Sequence, residues 1–97
     1  MKILEKSDKF EDLVKEGITL VDFYAEWCGP CKMMGPVLES LKNINIIKVN
    51  VDEFGELSEQ FRIMSIPTLV FFKNGEKVNE AVGFHSKEQI ESIIKEL

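Results

Sequence analysis

Cys28 and Cys31 are the only two cysteines of the chain. Gly29 and Pro30 separate them, and Trp27 and Lys32 flank them. Thiols three residues apart on a helix share one side, with Cβ atoms about 5–6 Å apart. That is slightly long for a disulfide, but within reach after a small local adjustment. Three kinds of chemistry suit such a pair: a two-electron switch, a structural staple, or half of a metal site. A bond across so short a loop removes little unfolded-state entropy, which makes it a poor staple. Zinc takes four ligands, and the single histidine, His85, lies far off in sequence. No metal is expected, and reversible thiol exchange is the leading reading.

The two thiols are not expected to be equivalent. A helix is expected from about Pro30, which places Cys28 just before or at its first turn, where free N–H groups favour an anion. An ordinary thiol, with pKa about 8.5, is only a few per cent thiolate at neutral pH. A helix end worth roughly 0.3–2 kcal/mol lowers that pKa by about 0.2–1.5. Pro30 fits the first turn because its missing N–H costs nothing there, and Gly29 lets a partner's backbone come close. Cys31, one turn further in, is expected to be the better shielded thiol and suits the resolving step.

Size and charge narrow the function further. Ninety-seven residues make one domain, 1–97, expected to bury roughly 65% of its unfolded surface without staples. Twelve basic against seventeen acidic residues leave a net charge of −5, interspersed rather than in blocks. A nucleic-acid surface needs a basic stripe, so no nucleic-acid partner is expected. The segment Met1–Lys9 holds no apolar stretch of the length of a signal peptide. The apolar run Ile66–Phe72 is far short of the ~20 residues of a membrane span. The expectation is a cytoplasmic monomer without a membrane contact, in a compartment where a cysteine pair is more often catalytic or metal-binding than structural.

The elements that must hold the pair follow from pattern. Ile3-Leu4 reads as a short edge strand. Ser7 or Asp8 is placed to cap a helix with Phe10, Leu13 and Val14 on one face and Gly17 as its stop. Ile18–Tyr24 is β-branched and aromatic with apolar residues on both faces, as in a central strand covered on both sides. After it comes the cysteine helix, with Met34, Val37, Leu38 and Leu41 as its buried stripe and Pro36 expected to kink it. Ile46–Val51 reads as a second central strand, after which Asp52 is placed to cap a short helix bearing Leu57 and Phe61. Thr68–Lys73 and Lys77–Val82 flank Asn74-Gly75, a strong hairpin signal because both turn residues need positive φ. Ser86-Lys87-Glu88-Gln89 is a capping box opening a last helix with Ile90, Ile93, Ile94 and Leu97 inward. The order β-α-β-α-β-α-β-β-α gives an α/β fold with helices on both faces of a mixed sheet.

The stretch Val21-Asp22-Phe23-Tyr24-Ala25-Glu26-Trp27-Cys28-Gly29-Pro30-Cys31-Lys32 resembles the thioredoxin family. So do Ile66-Pro67-Thr68-Leu69-Val70-Phe71-Phe72-Lys73-Asn74-Gly75 and Val82-Gly83, and the similarity covers nearly the whole chain. The resemblance implies a central mixed sheet of about five strands flanked by four helices. It implies reduction of disulfides in other proteins, followed by re-reduction by a thioredoxin reductase. Nicotinamide-dependent flavoprotein and ferredoxin-linked types are both compatible. It implies no bound organic cofactor, since electrons arrive through the partner.

Several further residues match the family pattern and carry a physical argument of their own. Asp22 interrupts an apolar central strand, where an unpaired carboxylate is costly and burial raises its pKa. It is a proton acceptor for Cys31, or else a strand-end acid with a route to solvent. Lys48, on the neighbouring strand, either tunes that acid by charge or is a solvated lysine on an exposed edge. Trp27 suits an apolar docking surface beside the thiols. An X-Pro bond is usually trans, but the resemblance implies a cis Ile66–Pro67 bond with the Ile66 backbone facing the cysteines and pairing with substrate. Gly83 lets the substrate chain approach, or is a simple bulge glycine. Phe84 and Tyr24 depart from the pattern, Phe84 in the shape of the docking groove and Tyr24, where tryptophan is common, in packing. A thiol oxidase or isomerase of the same fold, and a binding module using the Trp27/Ile66/Gly83 surface, are the alternative readings.

Overall fold

A computed structural model describes residues 1–97. In chain order its elements are β1 (Lys2–Ile3), α1 (Phe10–Leu13), β2 (Ile18–Tyr24), α2 (Gly29–Ser40), β3 (Asn45–Asn50), α3 (Gly55–Gln60), β4 (Thr68–Lys73), β5 (Glu76–Val82) and α4 (Lys87–Lys95). The strands form one sheet in the order β1-β3-β2-β4-β5. β3 pairs in parallel with both β1 and β2, while β4 runs antiparallel to β2 and β5 antiparallel to β4. The mixed α/β architecture and the element order are as the sequence pattern predicts.

Side-chain alternation along the central strands sends successive residues to opposite faces, and each face has its own core. Val21 and Phe23 of β2 point to one side with Ile47, Val49, Val70 and Phe72, covered by Phe10 and Val14 around α1 and by Leu57 and Phe61 at α3. Leu20 points to the other with Ile46, Leu69, Phe71 and Ala81, beneath Met34 and Leu38 of α2 and Ile90 of α4. The predicted inward residues Ile93, Ile94 and Leu97 pack there half-buried. Asp22 and Tyr24, in step with Leu20, therefore face α2.

Local signals act where they involve neighbours in sequence. Ser86 Oγ accepts from the Gln89 N–H at 3.2 Å and Gln89 Oε1 from the Ser86 N–H at 2.9 Å, which completes the capping box of α4. Asn74 and Gly75 take φ of 50° and 89° in the β4–β5 turn. The turn is tied down from outside by bonds between Asn74 and Gly17, at 2.9 Å in each direction.

Two capping expectations are corrected. α1 is a single turn begun by Lys9 without a side-chain cap. Asp8 instead closes the preceding turn, accepting from the Glu5 N–H at 2.8 Å and pairing with Lys2 at 3.1 Å. α3 is begun by Phe54, again with no side-chain cap, because Asp52 is engaged elsewhere. α2 runs from Gly29 to Ser40 as one element with Pro36 inside it. Pro36 has no N–H to donate to the preceding turn.

Candidate active site

β2 ends at Tyr24 and α2 begins at Gly29, so the four residues Ala25–Cys28 turn the chain from the sheet into the helix. Cys28 is the N-cap of α2, with extended φ and ψ of −90° and 111°. Its Sγ accepts from the Cys31 N–H at 3.2 Å. Pro30 sits in the first turn, where its missing N–H leaves nothing unpaired. A cap that accepts a helix N–H is where a thiolate gains from the helix end, so the position expected of Cys28 is the one observed.

Cys28 and Cys31 form a disulfide with Cα atoms 5.2 Å apart. The two residues are equally buried, at 5% and 4% exposure, so Cys31 is not better shielded as expected. What distinguishes them is their surroundings. Cys28 Sγ lies 3.8 Å from the Ile66 carbonyl oxygen, on the side where the chain crosses the thiols. Cys31 borders a separate small cavity with Tyr24 and Lys48.

The crossing segment brings the other sequence-predicted residues to the pair. The Ile66–Pro67 bond is cis, and Pro67 is buried while Ile66 is half-exposed. Gly83, with φ of 88°, donates its N–H to the Pro67 carbonyl at 2.7 Å, which sets it beside the same segment. Trp27 is 71% exposed. It shares a recess of about 350 Å3 with Ile63, Met64 and Ile66. Trp27, Ile66, Pro67 and Gly83 thus rim one apolar surface around Cys28, with Phe84 exposed next to Gly83.

Asp22 lies on the face that α2 covers. It has no exposed surface, and neither carboxylate oxygen has a hydrogen-bond partner. Burial pushes its pKa up from 3.8 to about 6, with the Lys48 charge pulling the other way. Asp22 thus lies inside β2 rather than at an exposed strand end. Lys48 is the register partner of Asp22 across the β2–β3 pair. It is half-buried on a strand flanked on both sides, not on an exposed edge. His85, given no role, stays in the loop after β5 with Nδ1 2.9 Å from the Gly83 carbonyl oxygen.

Three contacts at the site went unread in the sequence. Asp52 Oδ2 accepts from Trp27 Nε1 at 2.9 Å and so fixes the indole. The two are 25 positions apart, and no local pattern links them. Met64, 93% exposed, lines the recess beside Trp27 and is marked only by standing two residues before Ile66. The Tyr24 ring carries the Lys48 ammonium over its face at 4.5 Å, a contact that the strand register could have suggested.

The thioredoxin family model matches residues 1–96. The chain belongs to the thioredoxin family. A thioredoxin from Staphylococcus saprophyticus is 46% identical over 98% of this chain and 97% of its own length. Among solved structures, a mutant thioredoxin from Halobacterium salinarum superposes with a TM-score of 0.91 at 32% identity, over 98% of this chain and 88% of that one. A chain from a structure on the thiol resolving mechanism in yeast mitochondrial 1-Cys peroxiredoxin via glutathione/thioredoxin systems gives a TM-score of 0.86 at 29% identity, over 100% and 95%. Like other thioredoxins, this chain carries a redox-active cysteine pair, and its activity is thiol–disulfide oxidoreduction. Members of the family work with disulfide substrates and with reductases. No helix of the chain is long and apolar enough to cross a membrane.

Proposed function

We propose that this chain reduces disulfides in other proteins, with Cys28 attacking and Cys31 resolving. The Cys28 thiolate displaces one sulfur of the substrate disulfide, which leaves as a thiolate, and a Cys28–substrate disulfide forms. Cys31, having given its proton to Asp22, then attacks Cys28 Sγ. The second substrate sulfur leaves, and the Cys28–Cys31 disulfide closes. Two electrons pass to the substrate, and the protons go to its two thiolates. A reductase partner, nicotinamide- or ferredoxin-linked, returns the two electrons.

The observation that carries the order of attack is the N-cap position of Cys28, with the Cys31 N–H donated to its sulfur. Its contact with the Ile66 carbonyl, on the apolar rim, supports the same order. Trp27, Ile66, Pro67 and Gly83 receive the substrate backbone, Gly29 leaves room for it, and Pro30 stiffens the turn between the thiols. Asp22, buried and unpartnered, suits proton transfer near neutral pH, and Lys48 tunes it. Disulfide-bonded proteins such as peroxiredoxins are the substrate class, by similarity to the yeast chain. A monomer in the cytoplasm accords with this role, because a reductant needs a compartment that keeps thiols reduced.

Mixing Cys31→Ser with an oxidised disulfide-bonded peptide tests the order of attack. A covalent adduct that dissolves on adding dithiothreitol is expected, and none with Cys28→Ser. Adducts on Cys28→Ser instead would reverse the assignment.

A further inference from the structure

Three side chains share the sheet face beneath α2. Asp22 and Lys48 are register partners, and Tyr24, two residues beyond Asp22, is the diagonal neighbour of Lys48 on that face. The Lys48 ammonium sits 4.5 Å from the centroid of the Tyr24 ring, within the ~6 Å of a cation–π contact. It is not paired with Asp22. Neither Asp22 oxygen has a partner, and the ion pairs of the chain are Lys2–Glu5, Lys2–Asp8 and Lys77–Glu80. Tyr24 and Lys48 border a cavity of about 140 Å3 together with Cys31, and Asp22 lies outside its lining.

We propose that Tyr24 is a positioning residue for the dithiol: its ring holds the Lys48 ammonium beside Cys31, where the charge acts on Asp22 through space rather than in a contact pair. The proposal rests on Asp22 as the proton acceptor of Cys31. A contact pair would lock Asp22 as a carboxylate with no driving force to take a proton, whereas a lysine free in solvent would leave burial unopposed. The ring keeps the ammonium between these limits. The other charges around it are Glu26 and Lys32, which also border the cavity, and Glu53, near the Tyr24 ring. Ile3 from β1 and Leu69 from β4 add none. Burial, with Glu26, Glu53 and Asp22, pushes the Tyr24 hydroxyl up, so the ring stays neutral across the working range.

The test is the titration of the Asp22 carboxyl by carbon-13 NMR in the reduced protein, for wild type, Tyr24→Leu, Tyr24→Phe and Lys48→Met. An ammonium released from the ring moves to water, where it is strongly hydrated. Tyr24→Leu is therefore expected to raise the midpoint by about half a pH unit. Lys48→Met should raise it further, and Tyr24→Phe, which keeps the ring face, should leave it unchanged. A Tyr24→Leu midpoint at or below that of wild type overturns the proposal, as does an unmoved Lys48→Met. In the unmutated protein the Lys48 ε-methylene protons should be shifted upfield by the ring, and ordinary lysine shifts there overturn it without any variant having to fold. The underlying reading is tested separately by the pH dependence of substrate release from the mixed disulfide. If Asp22→Asn leaves that profile unchanged, Asp22 is not the acceptor, whatever Tyr24 does to its titration.

Discussion

Asp22 is the residue whose chemistry and cost are most tightly joined. An acid with its folded pKa raised from 3.8 to about 6 is disfavoured in the fold only when charged. Well below pH 3.8 it is protonated in folded and unfolded chains alike and carries no penalty. Stability then falls as pH rises through the window from about 3.8 to about 6, and is level above it. At 1.36 kcal/mol per pH unit the full penalty is about 3 kcal/mol. Asp22→Asn should therefore stabilise the fold by up to about 3 kcal/mol at pH 7.5 but by only about half a kcal/mol at pH 4, in urea unfolding at both pH values. An equal effect at the two pH values would mean that the carboxylate charge is not the cost. That variant should also slow the resolving step, so stability and activity move in opposite directions. Asp22 was legible in the sequence because a lone acid in an apolar strand breaks the pattern.

At the scale of elements, what was legible is what neighbours in sequence decide. Ser86 and Gln89, three positions apart, close a capping box, and Asn74-Gly75 turns a hairpin. Ser86→Ala should cost about 1 kcal/mol through α4, measured by denaturant unfolding. Asp52 shows where such reading ends. It stands where a helix cap could stand, but its acceptor serves Trp27, brought close only by the fold. Asp52→Ala should therefore lower the fluorescence anisotropy of Trp27, freeing the indole, while costing less than the ~1 kcal/mol of a lost cap. A full cap-sized loss with unchanged anisotropy would restore the capping role. Asp8 was misread for the same reason, since a turn with Glu5 and a lysine from β1 took its carboxylate first.

At the scale of the molecule, the element order and the covering of both sheet faces by helices were legible from periodicity, because a strand apolar on both faces has to be covered on both, while the order of strands in the sheet was not. The approach of Ile66 and Gly83 to the cysteines was legible only through family resemblance, since long-range proximity leaves no trace in local spacing. The cysteine bond itself adds little to this frame. It joins residues only three apart, and chain entropy then gives about 2 kcal/mol, against about 4.7 for a loop of 100 residues. The reduced and oxidised proteins should accordingly differ by about 2 kcal/mol or less in urea, so the fold survives both states of its cycle.

The central claim is that the pair serves as a reductant, and its reduction potential tests that most directly. With Gly29-Pro30, and no histidine, between the cysteines, the thiolate of Cys28 gains mainly from the helix end. Equilibration against glutathione redox buffers should therefore give a value close to the about −270 mV of thioredoxin. A value near the about −120 mV of a strong oxidant such as DsbA would contradict the account and make the chain a donor of disulfides.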